Sequence, residues 1–262
     1  MNKLIFVKFG GSLITDKGKE EKTNDRAIAS LANQIKSAKE KNSGLNLLIG
    51  TGAGSFGHIQ VKKFGVEEGI KTQKQKMGFA IVEDAVSRLN QIVVSELIKK
   101  NIPAVSVKPS SMFTTDTGSV KFFFIDPVWG FLNTGIIPVM YGDMVYDSAV
   151  NGSILSTDRI FYELAVIFSK QNIKIDKVIF CGGTNGVLDK SGHTIERITV
   201  KNYPEYQDVF FENKYIDVTG GMKKKVQTAL WISKLGIPCR IIGEDSLETC
   251  LLEDKFNGTI IG

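Results

Sequence analysis

The chain has 262 residues, 42% hydrophobic and 23% charged, which is enough apolar surface for a core and too even a mixture for a disordered, collagen-like or coiled-coil protein. Its 33 basic and 28 acidic residues give a formal charge of +5, spread along the chain rather than gathered on a basic helix face interleaved with aromatics. That argues against nucleic-acid binding and suits a small anionic ligand.

At the N-terminus, the apolar stretch of MNKLIFVKFGGS is short and interrupted by Lys8, which fits neither a signal peptide nor a membrane span. The predicted elements begin with a strand at Leu4 to Phe9, a helix at Asp25 to Lys41 and a strand at Leu45 to Ile49. A helix follows around Met77 to Lys100, then strands at Ala104 to Val107 and Ile137 to Tyr141, a helix after Asp158 and a strand at Lys177 to Cys181. The last third adds a helix from about Met222 to Leu235, a strand at Arg240 to Ile242, a short helix after Ser246 and a closing strand at Thr259 to Ile261. Such alternation predicts an α/β protein with a mostly parallel sheet and helical crossovers. Two hairpins interrupt it, Thr114 to Phe124 around Asp116-Thr117-Gly118 and Val145 to Leu155 around Asn151-Gly152. No linker or repeat divides the chain, so a single domain is expected. Cys181, Cys239 and Cys250 are odd in number and widely spaced, as buried thiols of a cytoplasmic protein would be.

Several strands end in glycine: Gly10-Gly11-Ser12, Gly50 to Gly57, Gly142-Asp143 and Gly182-Gly183. In open α/β sheets ligands bind beyond the carboxyl ends of the strands, and glycine lets backbone N–H groups turn toward a phosphate. The loop GTGAGSFGH, residues 50 to 58, follows a strand directly and matches neither the Walker A nor the Rossmann spacing. His58 at its end is either structural or a site residue. His193, in a turn-like segment, reads as an exposed loop residue. Lys8 lies in an apolar strand, where a cation needs an anion or a carboxylate to meet it. Lys17 could reach the same phosphates or belong to an exposed charged loop. Lys223, Lys224 and Lys225 open a helix, a placement the helix dipole disfavours unless an anion binds there, and only one of them needs to face it. Asp143 and Asp158 could hold lysines or a metal, and Asp158 could equally be a helix cap. Lysines, glycine-loop amides and magnesium are the means by which a phosphoryl-transfer enzyme stabilises its transferring group.

The segments KFGGSLITDK, GAGSFGH, IPAVSVKPSSMF, IPVMYGDMVYD and DVTGGMKKK resemble, in the same order, those of isopentenyl phosphate kinases of the amino acid kinase superfamily, and the resemblance covers nearly the whole chain. It implies a three-layer αβα sandwich with an open, mostly parallel central sheet. It also implies a homodimer that uses ATP and Mg²⁺ to phosphorylate isopentenyl phosphate, with acceptor binding in about residues 1–150 and nucleotide binding in about 151–262. By the same resemblance Lys8 stabilises the transferring phosphoryl, Gly10, Gly11 and Ser12 contact phosphates, and Lys17 assists on the ATP side. His58 binds the acceptor phosphate beside a loop of Gly52, Ala53, Gly54, Ser55 and Gly57. Asp158 orients the lysines, and Gly182, Gly183, Gly186, Gly220, Gly221 and Lys225 meet the nucleotide. Met77, Phe79, Ile81 and Val82 would line an apolar slot for the isoprenyl tail, unless they serve as core.

The chain also departs from that pattern. Gly182 to Gly186, read as Gly-Gly-Thr-Asn-Gly, replaces a typical Thr-Asp-Val-Asp-Gly, so carboxylates are missing at Gly183 and Asn185. Thr51 stands where the branch often has histidine. Ser156-Thr157-Asp158-Arg159 stands where it often has Ser-Gly-Asp, the arginine being more like fosfomycin kinases. A kinase of another small phosphate or phosphonate, and a nucleotide-binding relative without catalysis, are the alternatives these departures leave.

Overall fold

Alternate residues of the first strand, β1 (Lys3–Phe9), enter different cores. Phe6 packs on one face with Phe161, Phe168 and Phe180, while Ile5, Val7 and Phe9 pack on the other with Leu31, Ile35 and Leu89. A strand buried on both faces is the expected companion of helices on both sides of a sheet. The computed structural model describes residues 3–16, 18–207, 221–254 and 256–262.

After β1 come α1 (Gly11–Ile14), α2 (Asp25–Lys41), β2 (Leu45–Thr51), α3 (Gly54–Phe64), α4 (Gln73–Lys99) and β3 (Ala104–Ser106). Next are β4 (Phe113–Asp116), β5 (Ser119–Phe123), α5 (Asp126–Thr134), β6 (Ile137–Tyr141), β7 (Asp143–Val145) and β8 (Ser153–Leu155). The described chain closes with α6 (Thr157–Lys170), β9 (Ile175–Cys181), β10 (Arg197–Ile198), α7 (Gly221–Ser233), β11 (Cys239–Ile242), α8 (Leu247–Leu252) and β12 (Gly258–Ile261). Helix starts follow the sequence. Asn24 accepts from Ala27 N at α2, Thr72 and Gln75 form a reciprocal capping box at α4, and Ser156 accepts from Arg159 N at α6.

The central sheet has eight strands in the order β10-β12-β11-β9-β1-β2-β6-β3. β1 lies between β2 and β9, parallel to both, so successive connections leave it in opposite directions and open a crevice at the carboxyl ends of the strands. The αβα sandwich that the resemblance implies is therefore present, with two edge strands reversed: β12 runs antiparallel to β11, and β10 runs parallel to β12. Strand periodicity carries no information on direction, and the chain returns along the same edge to close the sheet. Both hairpins form, β4 with β5 and β7 with β8. Asp147, wholly buried, joins them by accepting from Thr117 N, Gly118 N and Thr115 Oγ1 of the first and from Ala149 N and Val150 N of the second.

Three helices depart from the sequence reading. α1 forms at Gly11–Ile14, directly after the turn at Gly10. α5 falls between the first hairpin and β6, where no helix was expected, and α3 turns most of the supposed loop 50 to 58 into a helix starting at Gly54. All three cysteines are buried free thiols. Among the described residues no helix is long and apolar enough to cross a membrane.

Candidate active site

Lys8 sits near the end of β1 with only 8% of its surface exposed, so its ammonium must be met by an anion. Asp158, in the first turn of α6, meets it: Lys8 Nζ lies 2.5 Å from Asp158 Oδ2. The other carboxylate oxygen, Asp158 Oδ1, is buried with no hydrogen-bond partner. The pair thus presents one satisfied and one unused oxygen in the crevice.

Beyond Lys8 the chain turns at Gly10, whose N–H donates to Cys181 O of β9 at 2.9 Å. The next residues press against the second glycine segment. A Cβ on Gly11 would lie 2.3 Å from Gly54 N, and one on Gly52 would lie 2.5 Å from Gly11 N. Gly54 also has φ +51, with the position of a Cβ already occupied by Thr15 Oγ1 at 2.2 Å. Glycine is required there by both backbone conformation and contact. Thr15 then couples the segments, its hydroxyl donating to Gly11 O at 2.7 Å and accepting from Ser55 N at 3.0 Å.

The N-terminal turn of α3 lies beside Lys8 through the β1–β2 pairing, in which Lys8 is opposite Gly50. Ser55 Oγ is buried there with no hydrogen-bond partner, a donor available to an anion at a helix N-terminus. His58 is exposed on the second turn of α3, so it belongs to a helix rather than ending a loop. Gly57 is turned away from this surface. A Cβ there would meet Ala53 Cβ at 2.6 Å and Val86 Cγ1 at 3.1 Å, which makes Gly57 the point of close packing between α3 and α4.

On the other side of β1, Gly182 follows β9 and donates to Ile242 O at 2.8 Å. Lys225, in the first turns of α7, brings Nζ to 3.2 Å from where a Gly182 Cβ would be. Of the lysines that open α7, Lys225 is therefore the one at the strand end, while Lys224 is exposed. Gly183 is open, with nothing within 4 Å of a Cβ. Gly186, φ +94, is buried against Thr259 and Thr194, and Gly221 begins α7. Ser12 is exposed in α1. Lys17 and Gly220 lie outside the described residues.

Asp143 is separate from the lysines. It opens β7, is 2% exposed, and its oxygens accept from Ser110 N at 2.9 Å and Met144 N at 2.8 Å. Burial pushes its carboxyl up to about 6, against the opposing effect of those hydrogen bonds. The sequence reading placed it in a loop because Gly142 precedes it. His193 is exposed in its turn, with its backbone N–H on Asp189.

Behind α3 an apolar cluster of Val61, Val66, Ile70, Val82, Val86, Tyr141 and Met144 is closed off by Ala53, Phe64 and Phe79. Val82 is core and Phe79 borders the cluster, whereas Met77 is 55% exposed. Sequence reasoning missed Thr15, Thr51 and Thr157 as site-building residues. Their hydroxyls act through contacts between segments far apart in the chain, which no local pattern announces.

An eight-stranded αβα sandwich with a lysine–carboxylate pair at the switch point, glycine turns on either side and a second lysine opposite is suited to holding phosphates. The family model for the amino acid kinase family matches residues 3–243, and the chain belongs to that family. It is 30% identical to the isopentenyl phosphate kinase of Methanothermobacter thermautotrophicus over 98% of both chains. It is 31% identical to that of Methanocaldococcus jannaschii over 85% of both. A crystal structure of an isopentenyl phosphate kinase superposes with a TM-score of 0.81 at 26% identity, covering 98% of this chain and 100% of the other.

Proposed function

We propose that this protein transfers the γ-phosphoryl group of ATP to isopentenyl phosphate, giving isopentenyl diphosphate and ADP. The observation that carries the reading is the Lys8–Asp158 pair standing between two anion-ready places, the Ser55 end of α3 and the Gly182–Lys225 side. Acceptor phosphate bound at α3 directs an oxygen at the γ-phosphorus; that P–O bond forms as the bond to the β-phosphate oxygen breaks, and its electron pair leaves on ADP. Lys8 and Lys225 neutralise the charge that spreads over the transferring oxygens. His58 holds the acceptor phosphate, Lys17 assists on the nucleotide side, and Asp158 keeps the Lys8 ammonium in place. The acceptor side then corresponds to about residues 1–150 and the nucleotide side to about 151–262.

Among the described residues there is no cluster of three or more acidic, histidine or cysteine groups able to hold a metal ion, while Asp158 Oδ1 is available. This donor set fits a Mg²⁺ carried mainly by nucleotide phosphates and water, with Asp158 as its one protein carboxylate. Bound there, Mg²⁺ would supply charge neutralisation to the nucleotide phosphates. We take the protein to be a homodimer, as the resemblance implies, and cytoplasmic, a reading supported by its buried free thiols.

The residues behind α3 expected to line an apolar slot are divided in the fold, with Val82 in a packed core cluster, Phe79 at its border and Met77 exposed, so the isoprenyl acceptor rests on the resemblance to isopentenyl phosphate kinases. Arg159, the residue most like fosfomycin kinases, is engaged by Glu163 at 2.6 Å and stacked 5.4 Å from the Tyr162 ring, so it lends the phosphonate alternative no support. The test is ADP release with ATP and Mg²⁺ in the presence of isopentenyl phosphate, dimethylallyl phosphate, fosfomycin or no acceptor. Release with the isoprenyl phosphates alone is expected. ATP binding with no release for any acceptor would reject the reading.

A further inference from the structure

Thr157 and Thr51 are two positions at which the chain departs from the sequences it resembles, and in the fold they meet. Thr157 is the first residue of α6, buried to 2% exposure, and its Oγ1 donates to Thr51 O at 2.6 Å across 106 positions. Thr51 O also accepts from Gly142 N at 3.2 Å. The Thr51 hydroxyl in turn accepts from Asn90 Nδ2 at 3.4 Å. Thr157 Cγ2 occupies the space above Gly50, 2.5 Å from where a Cβ would stand.

The position of this bond gives it leverage. Thr51 is the last residue before the Gly52-Ala53-Gly54 turn into α3, and Thr157 directly precedes Asp158, the partner of Lys8. One buried hydroxyl therefore ties the segment that leads to the acceptor phosphate to the turn that holds the transferring lysine. A glycine at this position has no hydroxyl to make the tie.

We infer that Thr157 is a positioning residue, whose hydroxyl sets the distance between the acceptor loop and the Lys8–Asp158 pair; the inference rests on the phosphoryl-transfer reading above. A short buried bond of this kind cannot be exchanged for water, so its loss leaves Gly142 N as the remaining donor to the Thr51 carbonyl and removes the tie between this strand end and α6. Transfer rates respond steeply to sub-ångström displacement of a reacting group.

The experiment compares Thr157→Val, which keeps the shape and removes the donor, with Thr157→Ser, which keeps the donor and removes the methyl. The expected result for Thr157→Val is a fall in kcat of about tenfold or more with a raised acceptor KM, while the ATP KM stays within about twofold. Thr157→Ser is expected to recover most of the turnover. Hydrogen exchange of the Gly52–Gly57 amides supplies a readout independent of turnover: faster in Thr157→Val, near wild type in Thr157→Ser. If Thr157→Val does not fold, Thr157→Ala against Thr157→Ser makes the same comparison. Wild-type kcat and exchange in the hydroxyl-free variant, or equal damage in the serine variant, would overturn the inference. A wild-type protein inactive on isopentenyl phosphate would instead overturn the phosphoryl-transfer reading, and the exchange data would still decide whether Thr157 holds the loop.

Discussion

Lys8 Nζ lies 2.5 Å from Asp158 Oδ2, a contact between residues 150 positions apart that joins β1 to the first turn of α6. Replacing Asp158 by Asn keeps the shape but leaves the ammonium without its counter-charge in a site where Lys8 is 8% exposed. Turnover is expected to fall by about 100-fold or more, with a loss of stability of about 3 kcal/mol. Steady-state kinetics and denaturant unfolding measure the two effects separately. Full turnover in Asp158→Asn would remove the carboxylate from the mechanism.

His58 is exposed on α3, so its removal leaves no cavity in the core. For His58→Ala we expect an acceptor KM raised by about tenfold or more, equivalent to one lost charge-assisted hydrogen bond, with the ATP KM unchanged. An unaltered acceptor KM would exclude a phosphate contact by His58.

Gly54 and Gly183 make a paired test of the two glycine turns. An alanine at Gly54 must adopt φ +51 and overlap Thr15 Oγ1 at 2.2 Å, so Gly54→Ala should cost about 3 kcal/mol and most of the turnover. Gly183 has ordinary φ and no neighbour within 4 Å of a Cβ. Gly183→Ala should therefore melt at the wild-type temperature, and Gly183→Asp should fold normally and change only the nucleotide KM. Equal destabilisation of the two alanine variants would contradict the described packing.

Asp143 has its carboxyl pushed up by burial to about 6 from an ordinary value of 3.8. Between those values the folded chain holds a proton that the unfolded chain has released. Stability accordingly falls as pH rises from about 4 to about 6, by at most about 3 kcal/mol, and is level above that window as far as this group is concerned. Subtracting the unfolding free energies of Asp143→Asn from those of wild type across pH 4 to 8 isolates this slope. Parallel curves would show that Asp143 ionises normally.

Much of this was legible in the chain itself. The strands at Leu4, Leu45, Ile137 and Lys177 announced themselves as short apolar runs ending in glycine, and those glycines do lie at one end of the sheet. Lys8 was readable as a buried cation needing a partner, and Asp158 is that partner. α3 was not readable, because a start of Gly54, Ser55 and Gly57 has low helix propensity and is held by packing on α4 and by Thr15. The antiparallel sense of β12 and the burial of Asp143 depend on where the chain goes next in space, which residue types alone do not encode.

Asp147 spends both carboxylate oxygens on two hairpins at once, serving the turn of one and the loop of the other. Neither ribbon can peel from the body without stripping donors from the same buried anion. The neighbouring loop is fastened as well, since Ile70 N donates to Val150 O and Asn151 Nδ2 donates to Ile70 O. The two ribbons are therefore one mechanical unit: shifting either against the other breaks contacts to a single shared carboxylate, buried where solvent does not reach to replace them.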